Sequence, residues 1–129
     1  MCSDPDSVSS NSVAHHNGKM VEDIVQTLLP ELQYIGKELD AEYQGRPLEI
    51  KSCQRVCRRS DNNTGKRSGR FWFRGDQDSL LKEKDGFYAL LCHDQGNIHF
   101  FYLAKARKLL KDFEGAMTVS WNTIARRVL

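Results

Sequence analysis

Apolar residues near the start of the chain recur at the three- to four-residue spacing of a helix with one buried face. They are Met20, Val21, Ile24, Val25, Leu28 and Leu29. A first helix is therefore predicted here, and Pro30 is expected to end or kink it because proline has no backbone N–H to donate. Residues 1–17 are rich in Ser, Asn and Asp and predict a disordered tail, so that residues 18–129 form a single domain.

Beyond this helix the pattern changes to the two-residue period of β-strands. Residues 39–43 alternate apolar and acidic side chains, and residues 48–56 form the partner strand of a predicted hairpin. With Gly45 and Arg46 as the central residues of its turn, Glu42 would lie opposite Glu49. The hairpin then gathers charged side chains on one face: Asp40, Glu42, Glu49 and Lys51.

This acidic face is a candidate metal site. Two carboxylates that face each other across a sheet repel by a few tenths of a kcal/mol to about 1 kcal/mol, and a cation between them would remove that repulsion. Mg²⁺ suits such a face because it takes oxygen ligands from one or two carboxylates together with phosphate oxygens and water. The simpler alternative is an exposed hairpin with ordinary solubilising charges.

The second half of the chain predicts further strands at residues 70–73, 87–92 and 98–102, with a short helix that Gln77 opens. Alternation along the first of these strands exposes either Trp72 or its two phenylalanine neighbours. An exposed aromatic ring could stack on a nucleic-acid base, whereas a buried ring would belong to the core.

The C-terminal part predicts an amphipathic helix over residues 104–113, an edge strand at 117–120 and a final helix at 121–128 that Ser120 caps. Helical and strand patterns are thus interspersed along the chain, as in an α/β protein. A length of 129 residues suits one such domain.

Charge is distributed unevenly behind the small net value of +2. Residues 1–50 hold three Lys or Arg against nine Asp or Glu, whereas residues 51–74 hold eight against one. A basic segment of this density favours a polyanionic partner, because each neutralised phosphate releases counterions. A solvated loop is the alternative interpretation.

Neither a long apolar run nor a signal-peptide pattern occurs in the sequence, which predicts a cytoplasmic protein with no membrane partner. Its four cysteines are accordingly expected to be reduced thiols. A zinc site of Cys53, Cys57, Cys92 and His93 is a rival hypothesis. It is disfavoured because two thiols four positions apart on one strand lie about 13 Å from each other.

The order Asp40, a turn, then Glu49-Ile50-Lys51 resembles the signature of the PD-(D/E)XK nuclease superfamily, whose fold is called restriction-endonuclease-like. The order of helices and strands is similar to that family over roughly residues 19–112. Leu39 stands where the family usually has a proline. In several branches, including archaeal Holliday junction resolvases, a glutamate on the first helix joins the metal site, and Glu22 corresponds to it here.

The resemblance implies an αβββαβ core in a mixed β-sheet flanked by helices. It also implies a Mg²⁺-dependent endonuclease that hydrolyses phosphodiester bonds of DNA. Structure-selective cleavage is one possible form of this activity, and Mn²⁺ is the alternative metal. It implies that Asp40, Glu49 and Glu22 hold the metal, and that Lys51 and Gln77 are further catalytic residues. Many relatives act as homodimers.

The basic segment supplies the candidate DNA contacts, which are Arg55, Arg58, Arg59, Lys66, Arg67, Arg70 and Arg74. A non-catalytic nucleic-acid-binding protein on the same fold is the alternative function.

Overall fold

The computed structural model describes residues 11–35, 41–58 and 66–129, with side chains for 18–35, 41–57 and 66–129. The helices are α1 (Asn11–Leu28), α2 (Gly75–Glu83), α3 (Ala106–Leu109) and α4 (Trp121–Val128). The strands are β1 (Gln33–Tyr34), β2 (Ala41–Tyr43), β3 (Arg46–Gln54), β4 (Val56–Arg58), β5 (Lys66–Ser68), β6 (Arg70–Arg74), β7 (Phe87–Asp94), β8 (Asn97–Lys105) and β9 (Ala116–Ser120).

Five of these strands form one mixed sheet in the order β1-β2-β3-β7-β8. The β3 and β7 strands pair in parallel, and the other neighbours are antiparallel. The apolar β7 strand is buried from Phe87 to His93, as expected for a strand covered on both faces. The mixed sheet flanked by helices confirms the predicted fold class.

Each face of the sheet has its own hydrophobic core. On one face, Val21 and Val25 of α1 pack with Leu48, Ala89 and Leu91. The opposite face carries a second core, whose buried members are Cys53, Phe71, Phe73, Leu81, Tyr88, Leu90, Cys92, Ala104, Ala106, Leu109, Leu110, Val119 and Ile124. Alternation along β3 therefore turns Glu49 and Lys51 away from α1 and towards α2 and β6.

The hairpin between β2 and β3 differs in register from the prediction. Its turn residues are Gln44 and Gly45, with φ of 55° and 76°, as a two-residue type I′ turn requires. Glu42 consequently pairs with Pro47, and the prediction that it faces Glu49 is wrong. The slip spans two residues, so each described side chain keeps its predicted face.

Three further segments differ from expectation. The β6 strand forms as predicted, but it pairs with β9 in a two-stranded ribbon outside the five-stranded sheet. The basic segment, for which a solvated loop was one interpretation, contains the paired strands β4 and β5, and its residues 59–65 lie outside the described part of the chain. Ser120 precedes α4, yet its side chain makes no capping bond to the helix backbone.

The predicted helix ends also need correction. The first helix begins at Asn11, inside the segment expected to be disordered, while residues 1–10 lie outside the described residues. The predicted helix at 104–113 is reduced to the four residues of α3, because β8 stays paired with β7 as far as Lys105. The end of α1 at Leu28, before Pro30, and the bounds of α4 are as predicted.

Gly86 offers a test of the packing where β7 begins beside β3. A Cβ at this position would lie 2.5 Å from the Pro47 carbonyl oxygen and 2.9 Å from Leu81 Cδ2. We expect Gly86→Ala to lower the free energy of unfolding by about 1–3 kcal/mol, measured by urea denaturation.

Gly18→Ala is the matched control, because a Cβ there meets no described atom within 4 Å. In the middle of α1 it should raise the free energy of unfolding by about 0.5–1 kcal/mol. Equal effects of the two substitutions would contradict the close contact at Gly86.

Candidate active site

The β3 strand positions the two charged residues at the centre of the site. Glu49 and Lys51 are two residues apart and therefore point to the same side of the sheet. Their partners on β7 are Tyr88 and Leu90, which belong to the buried core of that side. Only 5% of Glu49 is exposed, so its carboxylate has lost most contact with bulk water.

Gln77 brings the first turn of α2 to this carboxylate. Its Nε2 donates a 3.0 Å hydrogen bond to Glu49 Oε2. The other end of the amide, Oε1, is buried and has no hydrogen-bond partner among the described residues. A carboxylate beside an unsatisfied amide oxygen is a donor set that fits a hard divalent cation or the water that it binds.

A buried network fixes the helix that carries Gln77. The Tyr88 hydroxyl donates a 2.7 Å hydrogen bond to Asp78 Oδ1, and Lys82 Nζ lies 2.7 Å from Asp78 Oδ2. Lys82 also donates to the Leu110 carbonyl oxygen and to Asp112. Burial, the bond to Asp78 and the charge of Glu49 all raise the pKa of Tyr88, so its hydroxyl stays a donor. Sequence inspection missed this network, whose only local signal is the four-residue spacing of Asp78 and Lys82.

The neighbouring β6 strand contributes exposed side chains at the rim of the site. Lys51 Nζ lies 5.8 Å from the centroid of the Trp72 ring, within the range of a cation–π contact. Arg74 pairs with Asp76 through contacts of 3.2 and 2.9 Å. This hydrogen-bonded pairing raises the pKa of Arg74, and the nearby charge of Glu49 acts in the same direction.

Neither of the other two predicted metal ligands, Asp40 and Glu22, is described beside Glu49. Asp40 lies outside the described residues. The Glu22 side chain is exposed on α1, which packs on the opposite face of the sheet. Within the described ranges, His, Cys, Asp and Glu side chains form no group of three or more that could hold a metal ion.

Of the candidate DNA contacts, Arg55, Lys66, Arg70 and Arg74 are exposed. Arg67 is half-buried, and its Nη1 has no hydrogen-bond partner in the described part of the chain. The side chain of Arg58 and the whole of Arg59 lie outside the description.

The cysteines do not assemble the rival zinc site. Cys53 and Cys92 are register partners on β3 and β7, both buried with free thiols. The hydrogen bond between these thiols and their burial raise the pKa of Cys53, which keeps it protonated. Cys57 is disulfide-bonded, so the expectation of a reduced thiol is wrong at this position.

The histidines on β7 and β8, His93 and His99, make contacts with neighbouring residues of the fold. His93 Nδ1 accepts a 3.2 Å hydrogen bond from the Gly96 backbone, and burial lowers the pKa of this imidazole. His99 is exposed, and its ring packs edge-to-face on that of Trp121 with 4.7 Å between the ring centroids.

Comparison with known protein families identifies the superfamily of the chain. The family model of the PD-(D/E)XK nuclease superfamily domain matches residues 8–121. The chain therefore belongs to the PD-(D/E)XK nuclease superfamily, as its sequence predicts. No curated protein matches the chain with significance. Among the described residues, no helix is both long and apolar enough to cross a membrane.

Tyr88 gives a pH-dependent test of the buried network. Its folded-state pKa lies above the ordinary value of 10.0, so the protonated phenol stabilises the fold below that pH. This contribution is lost as the pH rises through the raised folded-state pKa. We expect the native wild type and Tyr88→Phe to show the same phenolate absorbance up to about pH 11.

In denaturant the two proteins should differ by one tyrosine that titrates near its ordinary pKa of 10.0. If the same difference appears in the native proteins with that midpoint, Tyr88 does not donate to Asp78 in solution.

Proposed function

We propose that this protein is a Mg²⁺-dependent endonuclease that hydrolyses phosphodiester bonds of DNA. The observation that carries the proposal is the buried Glu49 carboxylate, which shares a face of β3 with Lys51 and accepts a hydrogen bond from Gln77. Membership of a nuclease superfamily supplies the reaction class. The polar groups at Glu49 and Gln77 supply the reason to expect a hard cation there.

Glu49 and Asp40 are the proposed principal metal ligands, by the match of Asp40, Glu49-Ile50-Lys51 to the family signature. Glu22 is the third proposed ligand; its exposed side chain lies on α1, which packs on the face of the sheet opposite Glu49. Bound Mg²⁺, or Mn²⁺ in its place, would supply charge stabilisation at the scissile phosphate and a more acidic water.

The side chains around the metal have separate roles in this proposal. Gln77 holds the Glu49 carboxylate in one orientation by donating to Oε2. Lys51 orients the attacking water or neutralises negative charge as it develops on the phosphate. Exposed cations at Arg55, Lys66, Arg70 and Arg74 would contact the DNA backbone and position the substrate.

A homodimer would provide two active sites, one for each strand of a duplex. Structure-selective cleavage fits a domain of this size, since base-specific recognition in the major groove usually needs additional protein surface. A cytoplasmic location remains a prediction from the sequence.

The decisive experiment is a nuclease assay with Mg²⁺, Mn²⁺ or EDTA on linear duplex, single-stranded and four-way DNA. We expect metal-dependent cleavage by the wild type and a loss of at least about 100-fold in Glu49→Gln, whose amide keeps the shape but removes the negative charge. DNA binding in EDTA should be preserved in the variant.

Glu31→Gln is the matched control, because Glu31 is an exposed carboxylate between α1 and β1, outside the proposed site. It should cleave at the wild-type rate. If the wild type binds DNA but cleaves none of these substrates with either metal, the protein is a non-catalytic nucleic-acid-binding member of the fold and the endonuclease proposal is wrong.

A further inference from the structure

The outer face of the β6–β9 ribbon carries a regular set of exposed side chains. Arg70, Trp72 and Arg74 alternate with the buried Phe71 and Phe73 along β6. Their cross-strand neighbours on β9 are short, namely Ser120, Thr118 and Ala116. We call the three exposed β6 residues the Arg–Trp–Arg face.

Trp72 is the only member of this face with an aromatic surface to offer. The rings on either side of it are fully buried, whereas 46% of Trp72 is exposed. The residue opposite it in the ribbon is Thr118, which is exposed and too small to cover an indole. A large flat ring is thus presented to solvent on a paired strand, where its backbone cannot move freely.

The ring also lies next to the proposed catalytic residues. Lys51 Nζ is 5.8 Å from the Trp72 ring centroid, and Lys51 shares the face of β3 that carries Glu49. A base stacked on Trp72 would consequently bring its own nucleotide beside Lys51.

Two guanidinium groups flank the ring at a spacing of two residues, or about 7 Å along the strand in each direction. Arg74 is held in place by its two contacts with Asp76, while 48% of its side chain remains exposed. Arg70 is exposed at the other end of the strand. Aromatic rings that stack on bases, together with cations that contact the backbone, are the features by which many proteins bind single-stranded nucleic acids.

We propose that the Arg–Trp–Arg face binds an unpaired nucleotide of single-stranded DNA, with its base stacked on Trp72 and phosphates at Arg70 and Arg74. The inference rests on the proposed function for the role of this contact in cleavage. Bases in an intact duplex already stack on each other, and exposing one costs a few kcal/mol. The substrate class is therefore DNA with unpaired nucleotides at the site of cleavage, such as single strands, flaps and open junctions.

Binding can be tested apart from cleavage by fluorescence anisotropy in EDTA, with one labelled oligonucleotide used as a single strand and as a blunt duplex. We expect tighter binding of the single strand by the wild type. Trp72→Ala should weaken single-strand binding about 10-fold or more and leave duplex binding nearly unchanged, whereas Trp72→Phe should retain most of the affinity. Thr118→Ala, at the exposed cross-strand position, is the control and should bind like the wild type.

Intrinsic tryptophan fluorescence provides a second measurement, which does not depend on a difference in affinity between variants. The chain has two tryptophans, and the other one, Trp121, donates its indole N–H to the Arg55 carbonyl oxygen. Addition of single-stranded DNA should quench the wild type, and this quenching should disappear in Trp72→Phe. Equal weakening of single-strand and duplex binding in Trp72→Ala, or quenching that survives in Trp72→Phe, would overturn the proposal.

These outcomes distinguish a failure of the Arg–Trp–Arg face to bind single strands from a failure of the proposed cleavage reaction. If single-strand binding depends on Trp72 but no cleavage occurs with either metal, the proposal for the Arg–Trp–Arg face stands and the endonuclease proposal is wrong. Suppose instead that a blunt duplex is cleaved as fast as a single strand or flap, and that Trp72→Ala changes neither rate. The endonuclease proposal then stands and the proposal for the Arg–Trp–Arg face is wrong.

Discussion

The site depends on the burial of one carboxylate. The parallel register of β3 on β7 turns Glu49 to the inner side of a covered sheet, where only 5% of the residue stays exposed. A charge removed from water in this way costs several kcal/mol unless hydrogen bonds or opposite charges compensate. Gln77 provides one such bond, and a bound cation would provide far more. The same burial that makes Glu49 costly for stability makes it suitable for holding a metal.

Periodicity along the chain was sufficient to predict most of the fold, because each element buries a face of its own. It predicted the face shared by Glu49 and Lys51 and the bounds of the last helix. It could not predict the register of the β2–β3 hairpin, which depends on the positive φ of Gln44 and Gly45. Both central residues of a type I′ turn have positive φ. The predicted turn would have required this of Arg46, which adopts positive φ less readily than glycine does.

Contacts between distant parts of the sequence were beyond prediction. The ribbon of β6 and β9 joins segments that lie far apart along the chain, and its pairing decides that Trp72 rather than Phe71 or Phe73 is exposed. The hydrogen bond from Tyr88 to Asp78 likewise exists only because α2 packs on β7. Asp78 looks like one more solvated acid of an amphipathic helix until its burial is known.

The junction between β6 and α2 couples nucleic-acid contact to the proposed metal site. Asp76 pairs with Arg74 on the rim and also accepts a hydrogen bond from the backbone N–H of Gln77, whose side chain bonds Glu49. Gly75, between them, donates its N–H to the Gly115 carbonyl oxygen, and a Cβ there would collide with the Phe113 backbone. The junction is thereby fixed against the segment that leads into β9. Removal of Arg74 would release Asp76 as well as a phosphate contact, so its effect would extend through Gln77 to the carboxylate of Glu49.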